Sequence, residues 1–154
     1  MEGMWKTRAL AAFVAVWAAG LAAAAGAGDH FEVEASFEAA AEPGESGAVA
    51  VRFVAFDPDV ELNEVPAPRL KLDPDQQVLV ERKSAATPPP LADPGEPRYH
   101  DLSEPVRFSA DPAPDAPAGF HAVGAEVVYF YCSKREGWCR RGSAEIEIPV
   151  QIQR

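Results

Sequence analysis

The chain has 154 residues, of which 24 are Asp or Glu and 14 are Lys or Arg, so its formal net charge is −10. That length holds one domain at most, and the acidic balance argues against nucleic acid, which binds clustered cations. Two cysteines are too few for a disulfide-rich scaffold, so a hydrophobic core has to supply most of the stability. The three histidines are scattered, and we expect no metal and no cofactor.

The N-terminal segment has the pattern of an export signal. Lys6 and Arg8 form a basic start, an uncharged run extends from Ala9 to Ala27, and the small residues Ala25-Gly26-Ala27 end it. An uncleaved anchor is the alternative, since about 19 apolar residues can span a bilayer. The run is mostly Ala and Gly, which favours cleavage. We therefore predict a signal peptide over residues 1–27, a periplasmic or secreted domain over residues 28–154, and no stable membrane insertion after cleavage.

After residue 28 the apolar residues alternate with polar ones, which is typical of β-strands. No long helical period is present. About seven such segments in one domain predict an all-β, immunoglobulin-like antiparallel β-sandwich. The predicted strands are Phe31–Phe37, Ala48–Phe56, Leu70–Leu72, Gln77–Glu81, Val106–Phe108, Ala125–Tyr131 and Ala144–Ile152.

Proline-rich segments separate the predicted strands. Thr87–Pro97 and Asp111–Pro117 have too few backbone N–H groups to lie inside a sheet, so both are predicted to be loops. Pro149 falls inside the last predicted strand, which indicates an edge strand or a bulge at that point.

Cys132 and Cys139 are the most chemically specific feature of the sequence. They flank a predicted hairpin turn, and a disulfide closing so short a loop stabilises a fold by roughly 2–3 kcal/mol. The pair is therefore explained by a structural disulfide. A second interpretation is an exchange-active pair, because the cations at Lys134, Arg135, Arg140 and Arg141 would favour a thiolate. A thiolate metal site is the third, with His100 and His121 as the candidate additional ligands.

The last third of the chain resembles a known family. Val128-Tyr129-Phe130-Tyr131-Cys132, then Gly137-Trp138-Cys139, then a strand ending in Ile148-Pro149-Val150, is similar to the N-terminal periplasmic domain of the thiol:disulfide interchange protein DsbD. The segment Glu61–Arg69 is also similar to a related β-sandwich domain found in some NHL-repeat proteins, for which no disulfide relay is implied.

The resemblance implies a function in electron transfer. A DsbD-like domain receives electrons from a membrane-embedded electron carrier through a thioredoxin-like domain and reduces other exported proteins, as part of a protein-disulfide reductase. Cys132 and Cys139 would be the catalytic pair, and Cys139→Ala would leave Cys132 to trap a partner. The loop between them is one residue longer here than in DsbD. The aromatic cap of that family corresponds to the region Asp93–His100, where Tyr99 is the one aromatic residue. The alternative is a non-catalytic interaction module with a structural hairpin disulfide.

The remaining aromatic residues are predicted to have packing functions. Tyr129 and Tyr131 share one face of a strand, which we assign to the core, and Phe130 lies on the other face. Trp138 is expected to pack on the neighbouring disulfide. His30, His100 and His121 are each isolated in sequence and are expected in loops or at the surface.

Overall fold

A computed structural model describes residues 26–27, 29–40, 45–82 and 97–153. These residues form nine strands and no helix. The strands are β1 (Gly26–Ala27), β2 (Phe31–Glu38), β3 (Ala48–Ala55), β4 (Val60–Leu62), β5 (Arg69–Leu72), β6 (Leu79–Glu81), β7 (Val106–Pro112), β8 (Gly119–Ser133) and β9 (Trp138–Ile152).

The strands form two antiparallel sheets. The first has the order β1-β2-β3-β7-β6. In the second, β9 pairs with β8 along its whole length, while β4 pairs with residues 131–133 of β8 and β5 with residues 125–128. Because β9 occupies one edge of β8, β4 and β5 must both lie along the other edge. The predicted all-β sandwich is confirmed.

The core lies between the sheets and is formed by alternate residues of each strand. On β8 the odd-numbered residues from Val123 to Tyr131 face the core, and on β9 the even-numbered residues face it. Phe31 packs edge-to-face on Tyr129 at a centroid distance of 5.5 Å and on Phe53 at 5.8 Å. Such pairs each contribute about 0.5–1.5 kcal/mol beyond the burial of their area. The prediction that Tyr129 and Tyr131 belong to the core is confirmed.

One of the sequence predictions about proline needs correction, one can be assessed only in small part and one agrees with the structure. The predicted loop Asp111–Pro117 is wrong at its start, because β7 continues through Pro112, which pairs with Leu79 at the end of the strand where a missing N–H is tolerated. The loop Thr87–Pro97 falls almost wholly outside the described residues. β9 has a ladder only to β8 within the described part of the chain, which agrees with an edge position for Pro149.

Most of the predicted signal peptide, residues 1–27, also lies outside the described residues, and its last two residues form β1 against Glu32 and Val33. No helix in the described part of the chain is long and apolar enough to cross a membrane.

Candidate functional site

The two cysteines sit opposite each other at the closed end of the β8–β9 hairpin. Cys132 pairs with Cys139 in the ladder and the next pair, Ser133 with Trp138, leads into the turn. Gly137 closes this turn with a φ of 72°, a conformation that favours glycine, and its N–H donates to the Ser133 carbonyl at 2.9 Å. The two sulfurs are bonded at 2.04 Å. The sequence prediction that both cysteines lie at one end of a hairpin is confirmed.

The disulfide lies on the outer face of the second sheet, away from the core. Tyr131 points into the core, so Cys132, its neighbour, points outward, and Cys139 faces outward with it. Trp138 lies on the core side, where its ring is 5.7 Å from that of Tyr131 and 5.5 Å from that of His30. The expectation that Trp138 packs on the disulfide is therefore not met.

The two cysteines differ in their exposure to solvent. Cys132 is only 5 % exposed, whereas Cys139 is exposed. The cover over Cys132 comes from β4 and the residue after it: Glu61 is the ladder partner of Cys132, and the side-chain amide oxygen of Asn63 is 3.3 Å from its sulfur. The disulfide is therefore covered on the Cys132 side and open to solvent on the Cys139 side.

Two of the four cations beside the pair are neutralised by acidic residues, which the sequence analysis did not foresee. Lys134 forms an ion pair with Glu61 at 2.7 Å, and the hydrogen bond from this pair raises the pKa of Lys134. Arg135 lies 2.8 Å from Asp59 and 3.7 Å from Asp57. Both cations therefore contribute little net positive field at the sulfurs.

The other two predicted cations lie on opposite faces of β9. Arg140 is on the core-side face, where its guanidinium stacks over the Trp138 ring at 4.3 Å. Arg141 is exposed on the outer face with the disulfide and is the ladder partner of Phe130. Of the four cations that the sequence places near the pair, Arg141 is thus the one that is outward-facing and has no carboxylate within 4.0 Å among the described residues.

A segment before β7 runs beside β4 and completes the surroundings of the pair. Tyr99 forms a β-bridge with Asn63, and the His100 N–H donates to the Leu62 carbonyl at 2.8 Å. The Tyr99 ring lies against the ammonium of Lys134, 5.1 Å from its centroid. Asp93–His100 corresponds in position to the cap of the DsbD family but was not assigned as a cap. Its described residues, 97–100, lie beside the site, and residues 93–96 are outside the described part.

Two of the histidines weighed as metal ligands have other surroundings. Burial lowers the pKa of His100, and its Nε2 is buried without a hydrogen-bond partner among the described residues. His121 Nε2 contacts the Pro117 carbonyl at 2.8 Å. Within residues 26–27, 29–40, 45–82 and 97–153, no group of three or more His, Cys, Asp or Glu side chains is arranged to hold a metal ion.

The neighbours of the pair that matter most were not recognised in the sequence. Glu61 and Asn63 lie 71 and 69 positions before Cys132, and no local pattern connects them to it. Asp57 and Asp59, which pair with Arg135, are likewise more than 70 positions before it and have no pattern that connects them to it.

Comparison with models of protein families, with curated proteins and with solved structures finds no match to this chain. The resemblance to the DsbD N-terminal domain therefore rests on the residues quoted above.

Proposed function

We propose that this protein is an exported thiol:disulfide exchange module that uses Cys132 and Cys139 with a thioredoxin-like partner. The observation that carries the proposal is the unequal exposure of the two cysteines. Cys139 is exposed and Cys132 is 5 % exposed, so a partner thiolate has one accessible target. A pair with a single accessible sulfur gives one defined mixed disulfide, because exchange depends on which sulfur is attacked.

The exchange step proceeds in two attacks. A thiolate of the reduced partner attacks the Cys139 sulfur, forms the mixed disulfide and releases Cys132 as a thiolate; once protonated, its S–H can donate to the Asn63 side-chain oxygen, 3.3 Å away. The partner's second thiolate then attacks the partner's own sulfur and releases Cys139. Two electrons pass from the partner, which becomes a disulfide, to this pair, which becomes a dithiol after taking up two protons.

The strand order supports an immunoglobulin-like architecture for the module. Apart from β1, the first sheet has the order β2-β3-β7-β6, and the second has β4/β5, β8 and β9 side by side. If the strands are lettered in chain order, these are the orders A-B-E-D and C-F-G of the two sheets of an immunoglobulin domain. In that scheme the cysteines lie on the F and G strands. This agrees with the resemblance to the DsbD N-terminal domain, as does the export predicted from residues 1–27.

The alternative is an interaction module with a structural disulfide. It is favoured by the continuous β8–β9 ladder, whose register is unbroken from Gly119 opposite Ile152 to Ser133 opposite Trp138. A bond across so regular a hairpin stabilises it without any exchange.

The reduction potential of the pair separates the two functions. The purified protein is equilibrated with thioredoxin and glutathione redox buffers, and the dithiol fraction is measured by alkylation and mass spectrometry. An exchange module has a potential above about −300 mV, within reach of those buffers. A potential below that value, together with no mixed disulfide to thioredoxin from either single-cysteine variant, would establish the structural function instead.

A further inference from the structure

A groove crosses the outer face of the second sheet next to the disulfide. It has a volume of about 310 Å³ and is lined by Pro66, Arg69, Lys71, Val128, Phe130 and Arg141. We call this the outer groove. Its floor is apolar and partly aromatic, with Phe130 half-buried and Val128 buried, and its sides have long cationic side chains.

The outer groove lies on the same face of the sheet as the disulfide, two ladder positions away from it. Phe130 and Arg141 are ladder partners two positions before and after the pair Cys132 and Cys139. At about 3.3 Å per residue, they lie roughly 7 Å along the sheet from the disulfide. Arg69, opposite Val128, is two positions further. An extended chain in the groove would therefore place a neighbouring residue directly at Cys139.

The charge of the outer groove is opposite to that of the protein. Neither Arg69 nor Arg141 has a carboxylate within 4.0 Å among the described residues, whereas Lys71 pairs with Glu126 at 3.2 Å at the far end. Two guanidinium groups without a carboxylate partner thus lie on one groove of a chain whose net charge is −10. Arginine binds carboxylates through two parallel hydrogen bonds, so the ligand chemistry that fits is an acidic side chain.

We infer that the outer groove docks an acidic segment of the thioredoxin-like partner, next to the partner's attacking cysteine. Its carboxylates bind Arg69 and Arg141, and an apolar side chain packs on Phe130. This inference rests on the proposed function, because the docked segment is what brings the partner's thiolate to the exposed sulfur of Cys139.

Binding is tested separately from exchange. The probe is a synthetic ten-residue peptide with two Glu residues and one Leu near a Ser that replaces the reactive cysteine; a second peptide carries Gln in place of Glu. Binding to the oxidised protein is followed by NMR shifts of the Arg69, Phe130 and Arg141 amides. The acidic peptide should bind roughly fivefold more tightly than the Gln peptide at low salt. The double variant Arg69→Ala/Arg141→Ala should lose this preference. Arg52→Ala, which removes an exposed arginine on β3 of the other sheet, should keep it.

Exchange is then measured with the same peptides carrying Cys in place of Ser. Each peptide is compared with itself on wild-type and double-variant protein, so differences in thiol reactivity cancel. The double variant should react roughly fivefold more slowly with the acidic peptide and at an unchanged rate with uncharged dithiothreitol. Exchange without any charge preference would overturn the groove inference and leave the proposed function standing. Charge-dependent binding without exchange would support the groove and contradict the proposed function.

A second copy of this acidic chain is the competing occupant of the groove. Sedimentation of wild-type protein and of the double variant distinguishes it. A monomer in both cases supports a partner segment as the ligand, whereas a dimer that the double variant abolishes would overturn the inference.

Discussion

Cys132 and Cys139 face each other across the β8–β9 ladder, yet Cys132 is 5 % exposed and Cys139 is open to solvent. The asymmetry follows from the neighbouring strands. β8 has β4 beside it at this point, and Glu61 and Asn63 cover its cysteine. β9 has no ladder on its other edge within the described residues, so its cysteine is uncovered.

The single-cysteine variants should therefore react unequally. Cys132→Ala, which leaves Cys139, should form a mixed disulfide with an activated thioredoxin about tenfold faster than Cys139→Ala, which leaves the covered Cys132. The rate is measured by mass spectrometry of quenched samples. In denaturant the two variants should react equally, which controls for intrinsic reactivity. Faster trapping by Cys139→Ala, the variant named above from the family resemblance, would contradict the assignment.

Removing the charge of Glu61 should accelerate reduction of the disulfide. Glu61 neutralises Lys134 and is the ladder partner of Cys132, so Glu61→Gln leaves a free cation beside the sulfur that departs as a thiolate. We expect reduction by dithiothreitol to become roughly two- to threefold faster at low salt. The rate of reduction is measured by stopped flow. Glu145→Gln, which removes a carboxylate at an exposed position further along β9, is the control variant. An unchanged or slower rate in Glu61→Gln would show that the ion pair does not affect the sulfur.

The fold was predictable from the sequence because alternation is local. Phe31–Phe37 and Ala48–Phe56 carry enough alternating residues to be recognised, and the structure has strands there. β4 was not predicted, since Val60-Glu61-Leu62 is only three residues long and is held by its ladder to β8. The strands β8 and β9 are longer than predicted because each extends the ladder of the other.

The candidate site was predictable only in part. The two cysteines and the turn between them are adjacent in sequence, so their hairpin could be inferred. The residues that decide their environment come from distant segments: Asn63 is 69 positions from Cys132. The packing of β4 against β8 therefore decides which cysteine is covered, and it brings Glu61 to Lys134. No spacing in the sequence predicts this packing.

Tyr129 should make the protein less stable at high pH. Burial, followed by the neighbouring Tyr131, raises its pKa to about 12, against about 10 in the unfolded chain. Between these values the unfolded state loses the phenolic proton and the folded state keeps it, so the stability present below pH 10 is lost as pH rises toward 12. We expect a loss of up to about 2 kcal/mol across this range.

Urea unfolding of Tyr129→Phe at about pH 8 and about pH 11 checks this expectation. The Tyr129 hydroxyl is buried and has no hydrogen-bond partner among the described residues, so its removal should cost little stability near pH 8. The variant should lose much less stability than wild type at high pH. A remaining loss is expected from Tyr131, whose pKa burial also raises. An equal loss in wild type and Tyr129→Phe would rule out Tyr129 as the cause.

Gly142→Ala should destabilise the hairpin that carries Cys139. A Cβ at Gly142 would lie 2.8 Å from Cε2 and Cζ of Tyr129, its ladder partner, which is closer than a methyl group and an aromatic carbon can approach. Tyr129 is fully buried against Phe31 and Phe53, so its ring has no space to withdraw. Overpacking of this kind costs about 1–3 kcal/mol, whereas Gly→Ala in an unobstructed strand is stabilising by about 0.5–1 kcal/mol.

Thermal unfolding of the oxidised protein measures the difference, with Ser143→Ala at the adjacent exposed position as the matched control. A Gly142→Ala variant as stable as Ser143→Ala would show that Tyr129 does not pack over the backbone of β9 as described.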